Sequence, residues 1–325
     1  MKALVNIGPG KLALLDRKLP QPGPGQVLIR TLACGICATD LEMIRGWDRT
    51  GFPAVPGHEW CGRVEALGKG APRALLGKKC VGYNVWAGGG EVGFEHPGGY
   101  AQCFVTEAAG LVALPESLPA DTAVLIEPLA TCTRALKRLG LEDFSRALVV
   151  GDGPIGILLA FLLRRAGVQE IRQVGGVRER LKASEKLSGA GTLLVRPGTG
   201  DTVRAMGRRF GGGFANVLEA SGSAAGMEAA LALCARGGRL LVLGDYRKAT
   251  AGFPWNDLLH RELTLIGSNA SADAWGEAAK TALASKRMLA PLVTHRLQMG
   301  DYARGFELVR TRRAIKVVLR WSNEP

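Results

Sequence analysis

Over roughly the first 118 residues, apolar positions come in short alternating bursts such as Gln26-Val27-Leu28-Ile29-Arg30, broken repeatedly by glycine and proline. That pattern predicts strands and loops, a mostly-β unit. The pattern changes near residue 120. A helical stretch runs through Ala135 and Leu139, and is followed by the apolar strand Arg146-Ala147-Leu148-Val149-Val150, a glycine-rich turn and an apolar helix from Ile155 to Ala166. Strands at about 170–174, 192–195, 215–219, 239–243 and 263–267 then alternate with helix-compatible stretches. Such alternation specifies an α/β architecture with a parallel, doubly wound sheet. Beyond Gly267 come two helical patterns, around 273–285 and 300–310, and a last strand from Ala314 to Arg320. This tail is too small to fold alone. The expected organisation is therefore 1–128, 129–267, and a segment 268–325 that returns to the first unit.

Composition narrows the class. A chain of 325 residues with 47% hydrophobic content is a globular protein of about two domains. The apolar start Met1 to Gly8 is shorter than a signal core, and the run Ile155 to Leu163 is interrupted by Gly156 and stops at Arg164-Arg165. A cytoplasmic protein without a membrane partner is expected. Seven cysteines, an odd number, suit reduced thiols or metal ligands better than a disulfide framework. The formal charge of +13 raises nucleic acid or an anionic ligand as partners. Lysine and arginine never form a run of five, however, so a solvated basic surface, or a field that attracts a phosphorylated cofactor, fits better than RNA.

The turn after residue 150 reads Gly151-Asp152-Gly153-Pro154-Ile155-Gly156. In such a loop the first glycine permits the tight turn, the second lets backbone approach a pyrophosphate, and the third allows close helix packing. The helix start supplies unpaired N–H groups and a positive dipole end to the phosphates. With 45 glycines in the chain the motif alone is weak, and its place between strand and helix is what gives it force. The second strand, Ile171 to Val174, ends in Gly175-Gly176-Val177-Arg178-Glu179-Arg180 with no carboxylate at its end to hold the ribose hydroxyls of NAD. Gly175 leaves room, and Arg178 or Arg180 could pair with a 2′-phosphate, so NADP is favoured over NAD. Both arginines equally suit the solvated start of a helix.

Cys37, His58-Glu59 and Glu127 stand at three separated places and are of the types that catalytic zinc accepts. Taken alone, Cys34-x-x-Cys37 also reads as a redox pair or half of a structural zinc site. The latter needs four ligands, and no second close pair exists.

In order along the chain, Cys34-Gly-Ile-Cys37-Ala-Thr39-Asp40, Gly57-His58-Glu59, Ile126-Glu127-Pro128-Leu129 and Gly151-Asp-Gly-Pro-Ile-Gly156 resemble the zinc-dependent medium-chain dehydrogenases. Arg236-Gly237-Gly238-Arg239 leading to Leu243-Gly244, and Leu265-Ile266-Gly267-Ser268, extend the resemblance over nearly the whole chain. It implies a GroES-like catalytic domain and a Rossmann domain, with Leu243 and Gly244 at the cofactor. It implies Cys37, not Cys34, as first zinc ligand, His58 as second, and Glu59 or Glu127 as third. It implies hydride exchange between a secondary alcohol and NAD(P), and a homodimer or homotetramer. Glu-Pro in place of a cysteine ligand is closer to the sugar and polyol branch. Glu42, three residues after Thr39, strengthens that likeness, although a solvated helix residue fits it as well. Thr39 is expected to carry the substrate proton towards Glu42 or the ribose and then water, and Asp40 to orient the metal shell.

This sequence departs from many relatives in one respect. They hold a second, structural zinc with four clustered cysteines, whereas nothing between Cys80 and Cys103 is cysteine. The Gly-rich stretch Trp86 to Gly99 stands there instead, so one zinc and a mobile segment are expected. His96 reads as an ordinary loop residue. Trp47, Trp86, Trp255 and Trp275 are candidates to line a sugar pocket or simply to pack. Two other readings stay open: a zinc-free quinone or enone reductase, and a non-catalytic RNA-binding protein on the same fold.

Overall fold

The computed structural model describes residues 1–47, 49–195, 207–209, 213–247, 250 and 255–321. The chain divides into two compact units, one made of Met1–Glu127 with Trp275–Pro325, the other of Pro128–Ala274.

The first unit is built on a seven-stranded sheet with Gln26–Gly35 at its centre. That strand pairs antiparallel with Glu59–Leu67, Cys103–Glu107 and Lys316–Arg320. Its inward residues Val27, Ile29 and Cys34 join Leu4, Trp60, Val64, Phe104, Val317 and Leu319 in one core. Burial of that apolar area is the main force that recruits the C-terminal strand. One strand was not foreseen. Val293–Gln298 lies parallel to Lys316–Arg320 at the sheet margin. Its sequence, VTHRLQ, exposes three of six residues, so its apolar signal is too thin to read.

The second unit holds a six-stranded parallel sheet. The spatial order is Gly191–Leu194, Glu170–Gly175, Arg146–Val150, Phe214–Glu219, Cys234–Val242, Thr264–Gly267. The chain thus starts in the middle, winds outward one way, then crosses back and winds the other way. That reversal between Arg146–Val150 and Phe214–Glu219 makes a crevice at the strands' C-terminal ends, where ligands of such sheets bind. Ala147 to Val150 are buried, as a central parallel strand covered on both faces must be. The helix Pro154–Arg165 follows, with proline in its first turn and Arg164 and Arg165 in its last, each favourable at that end. Among the described residues, no helix is long and apolar enough to cross a membrane.

Candidate metal centre and dinucleotide loop

In the first unit, the ligand atoms of Cys37, His58 and Glu59 lie within 4.8 Å of one another. Their positions follow from the sheet. Cys37 sits just past the end of Gln26–Gly35, at the start of the helix Ala38–Gly46, and Glu59 lies opposite Gly35 in the neighbouring strand. Gly57 turns the chain into His58 with φ of +104°, and a Cβ there would stand 2.7 Å from the Tyr100 nitrogen. Only glycine takes both the turn and the close approach.

Asp40 organises the cluster from beneath. Fully buried, it accepts hydrogen bonds from the Cys37 backbone N–H at 2.9 Å and the Tyr100 hydroxyl at 2.8 Å, and its other oxygen is 3.4 Å from His58 Nδ1. That leaves Nε2 as the ring nitrogen for a metal. Burial opposes a charged imidazole, but Asp40 and the Cys37 sulfur outweigh it and hold the His58 pKa well above its ordinary value. Cys34 is separate. It packs under Gly57 and Gly99, and burial drives its thiol well above the usual range, so it stays protonated.

The two glutamates differ. Glu59 is 1% exposed and both its oxygens accept from the Lys316 ammonium, at 2.6 and 2.5 Å. Lys316 also donates to the Ile36 carbonyl at 3.3 Å. The register explains the meeting: Glu59–Leu67 and Lys316–Arg320 flank Gln26–Gly35 on either side, and a Cβ on Gly35 would strike the Glu59 carboxylate. Glu127, in the first turn of Ile126–Leu139, lies outside the tight donor set of the described residues. Burial pushes its carboxyl up to about 7, with His58 opposing and Glu59 adding. Sequence reasoning missed Lys316, although a lysine inside the apolar run Ile315 to Leu319 was its signal.

Thr39 Oγ1 is 3.5 Å from the Cys37 sulfur. Glu42, one turn further along the same helix, is held by Arg45 at 3.0 Å. The stretch Trp86 to Gly99 makes several side-chain contacts. Trp86 stacks on His96 with centroids 3.7 Å apart, and a ring nitrogen of His96 lies 3.0 Å from the Gly89 carbonyl. Arg49 bridges Glu95 at 2.6 Å and Glu91 at 2.9 Å. Phe94 rests against the His58 ring at 4.9 Å, and Trp47 meets Phe94 edge-on. Trp275 is a packing residue at 4% exposure, and Trp255 is 71% exposed on the other unit.

In the second unit, the loop takes the conformation its glycines allow. Gly151 has φ of +124°, and a Cβ on Gly156 would lie 2.2 Å from the Gly151 carbonyl oxygen. Gly153 has nothing within 4 Å of where a Cβ would stand, which leaves its surface open. Pro154 and Ile155 begin the helix. Leu243 and Gly244 follow the strand Cys234–Val242, and both donate their N–H to the Glu219 carbonyl. At the second strand's end, Arg178 is exposed in the first turn of Arg178–Ser188, whereas Arg180 is buried and faces Asp152 at 3.9 Å. Of the two arginines offered for a 2′-phosphate, Arg178 is thus the exposed one, because residues two apart on a helix point about 200° apart.

Comparison with known proteins agrees with this arrangement. Residues 23–116 match the alcohol dehydrogenase GroES-like domain, and residues 154–284 match the zinc-binding dehydrogenase domain. An L-threonine 3-dehydrogenase of Chelativorans sp. (strain BNC1) is 30% identical, with 99% of each chain covered. The solved structure of an alcohol dehydrogenase from E. coli CFT073, complexed with NADH, superposes with a TM-score of 0.90 at 22% identity and 99% coverage of both chains. A zinc-binding dehydrogenase of Sinorhizobium meliloti 1021, bound to NADP, gives 0.88 at 23% identity and 98% coverage of both. With one neighbour holding each cofactor, the fold alone does not choose between them.

Proposed function

Because this chain belongs to the zinc-dependent medium-chain dehydrogenases, we propose that it oxidises a secondary alcohol flanked by polar groups, a sugar, polyol or hydroxy amino acid, and passes the hydride to NADP. The observation that carries the reading is the thiol, imidazole and carboxylate gathered within 4.8 Å at Cys37, His58 and Glu59. That donor set fits zinc, and Cys37 is its partly exposed member. Cys37 and His58 would hold the ion, with Glu59 or Glu127 as third ligand: Glu59 is in the close donor set but accepts from Lys316, and Glu127 is the alternative once that pair holds. Bound zinc supplies Lewis acidity that makes a substrate hydroxyl easier to deprotonate.

The protein's own groups do the rest. Asp40 fixes the imidazole and the Cys37 backbone together. The Thr39 hydroxyl both donates and accepts, so it takes the substrate proton and hands it towards Glu42, one turn along the helix, and water. Gly151, Gly153 and Gly156 admit the pyrophosphate, and Arg178 meets the 2′-phosphate. Glu95 and Glu91 with Arg49, and the Trp86–His96 stack, take the place of a structural metal, so one zinc per chain is the proposed content. The exposed sheet edge Thr264–Gly267, with Leu265 and Trp255 open to solvent, supports a homo-oligomer.

The test is NADP and NAD reduction by zinc-loaded protein over sugars, polyols, hydroxy amino acids and simple secondary alcohols, beside metal analysis. Turnover with one zinc per chain is expected. Enone reduction without zinc would replace the reading with the reductase one, and salt-sensitive RNA retention without turnover would replace it with the binding one.

A further inference from the structure

We propose that Asp152 is a positioning residue that sets the choice between NADP and NAD. It fixes the turn Gly175 to Arg178 and keeps Arg180 in the interior, so that Arg178 alone meets the 2′-phosphate. The inference rests on the cofactor reading above and deepens it.

The second strand ends in two glycines where a carboxylate would ordinarily hold ribose. A carboxylate is nonetheless there, brought from the glycine loop. A Cβ on Gly175 would stand 2.3 Å from the Asp152 Cβ and 2.6 Å from its Oδ2, so the aspartate occupies the volume that a side chain at the strand end would need. Asp152 and Gly175 are thus one device. The carboxylate is 2% exposed, and its Oδ2 accepts the Val177 backbone N–H at 2.6 Å, a short charge-assisted bond to the residue directly before the helix Arg178–Ser188. That bond decides where the helix begins, and hence where Arg178 points.

The same carboxylate lies 3.9 Å from the Arg180 guanidinium, whose side chain is 9% exposed. The pairing balances a buried negative charge beside a loop that must receive a pyrophosphate. It also commits Arg180 to the protein, on the helix face turned away from Arg178.

The experiment is fluorescence titration of the zinc-loaded protein with NADPH and NADH, for wild type, Arg178→Ala, Asp152→Ala, Asp152→Asn and Arg180→Met. Asp152→Ala should weaken NADPH relative to NADH by about tenfold, the loss of one charge-assisted contact. Asp152→Asn, whose amide oxygen still accepts from Val177, should restore most of the preference. Arg180→Met should leave the ratio of the two affinities unchanged. An unchanged ratio in Asp152→Ala, or a selective loss of NADPH in Arg180→Met, overturns the inference. If Asp152→Ala does not fold, the Arg180→Met result still decides. Wild type that binds NADH more tightly, with Arg178→Ala altering neither, would overturn the cofactor reading as well. A wild-type NADPH preference that vanishes in Arg178→Ala but survives in Asp152→Ala would overturn the inference alone.

Discussion

Each unit buries a carboxylate beside its chemistry and sets a buried cation against it, yet the two are assembled in opposite ways. Asp152 and Arg180 belong to consecutive elements of the second unit, with the helix Pro154–Arg165 and the strand Glu170–Gly175 between them. Glu59 and Lys316 are 257 residues apart and meet only because two strands flank a third. The first pair is set by one strand–helix–strand crossover, the second by the closure of the whole first unit. In both cases the carboxylate is already engaged by the protein, and in the first unit it is one that the sequence offers as a metal ligand. Proximity to a site is therefore not the same as availability to it.

The sharpest way to break the comparison is Lys316→Met. It leaves Glu59 buried without its partner, and removing one member of a buried pair costs about 3–5 kcal/mol. Denaturant unfolding should show that loss, and Glu59→Gln in the same chain should recover part of it. A change under about 1 kcal/mol would mean that water reaches the pair and that it is worth no more than a surface bridge.

How much of this the sequence disclosed follows the same division. The glycine loop, its strand and its helix were legible, because backbone conformation at Gly151 and burial at Ala147 to Val150 are local properties. The later strands and their parallel sheet were legible from alternation, but not the spatial order in which they pair. Of the metal cluster, the residue types at Cys37, His58 and Glu59 were legible, but not what each one touches. Lys316 was invisible as a partner because strand register, not spacing, brings it to Glu59. The glycine content of Trp86 to Gly99 does not disclose the aromatic stack or the bridges from Arg49 found there. Arg180 was grouped with Arg178 because both are arginines at a helix start, while helical rotation separates them.

The two cysteines sharpen the comparison next. Cys37→Ser should lower zinc content and cut turnover by more than about 100-fold, since even partners that only support a ligand carry 10–100-fold effects. Cys34→Ser should keep its zinc, because Cys34 lies buried under Gly57 and Gly99 and is absent from the donor set. It should lose stability, as a hydroxyl replaces a buried sulfur. Equal metal loss in both variants would show that the two sulfurs act as one site.

The smallest expected effect concerns the stretch that stands where relatives hold a structural zinc. Trp86→Ala removes the stack on His96, a contact worth about 0.5–1.5 kcal/mol beyond its buried area. Because Phe94 of the same stretch rests on the His58 ring, and a Cβ on Gly93 would lie 2.6 Å from the His58 backbone nitrogen, loosening should be felt at the metal as well as in the melt. The expected result is a modest fall in unfolding free energy with zinc stoichiometry unchanged and faster zinc release to a chelator. If release is unaltered, the stretch holds only itself, and the link between this lobe and the metal cluster fails.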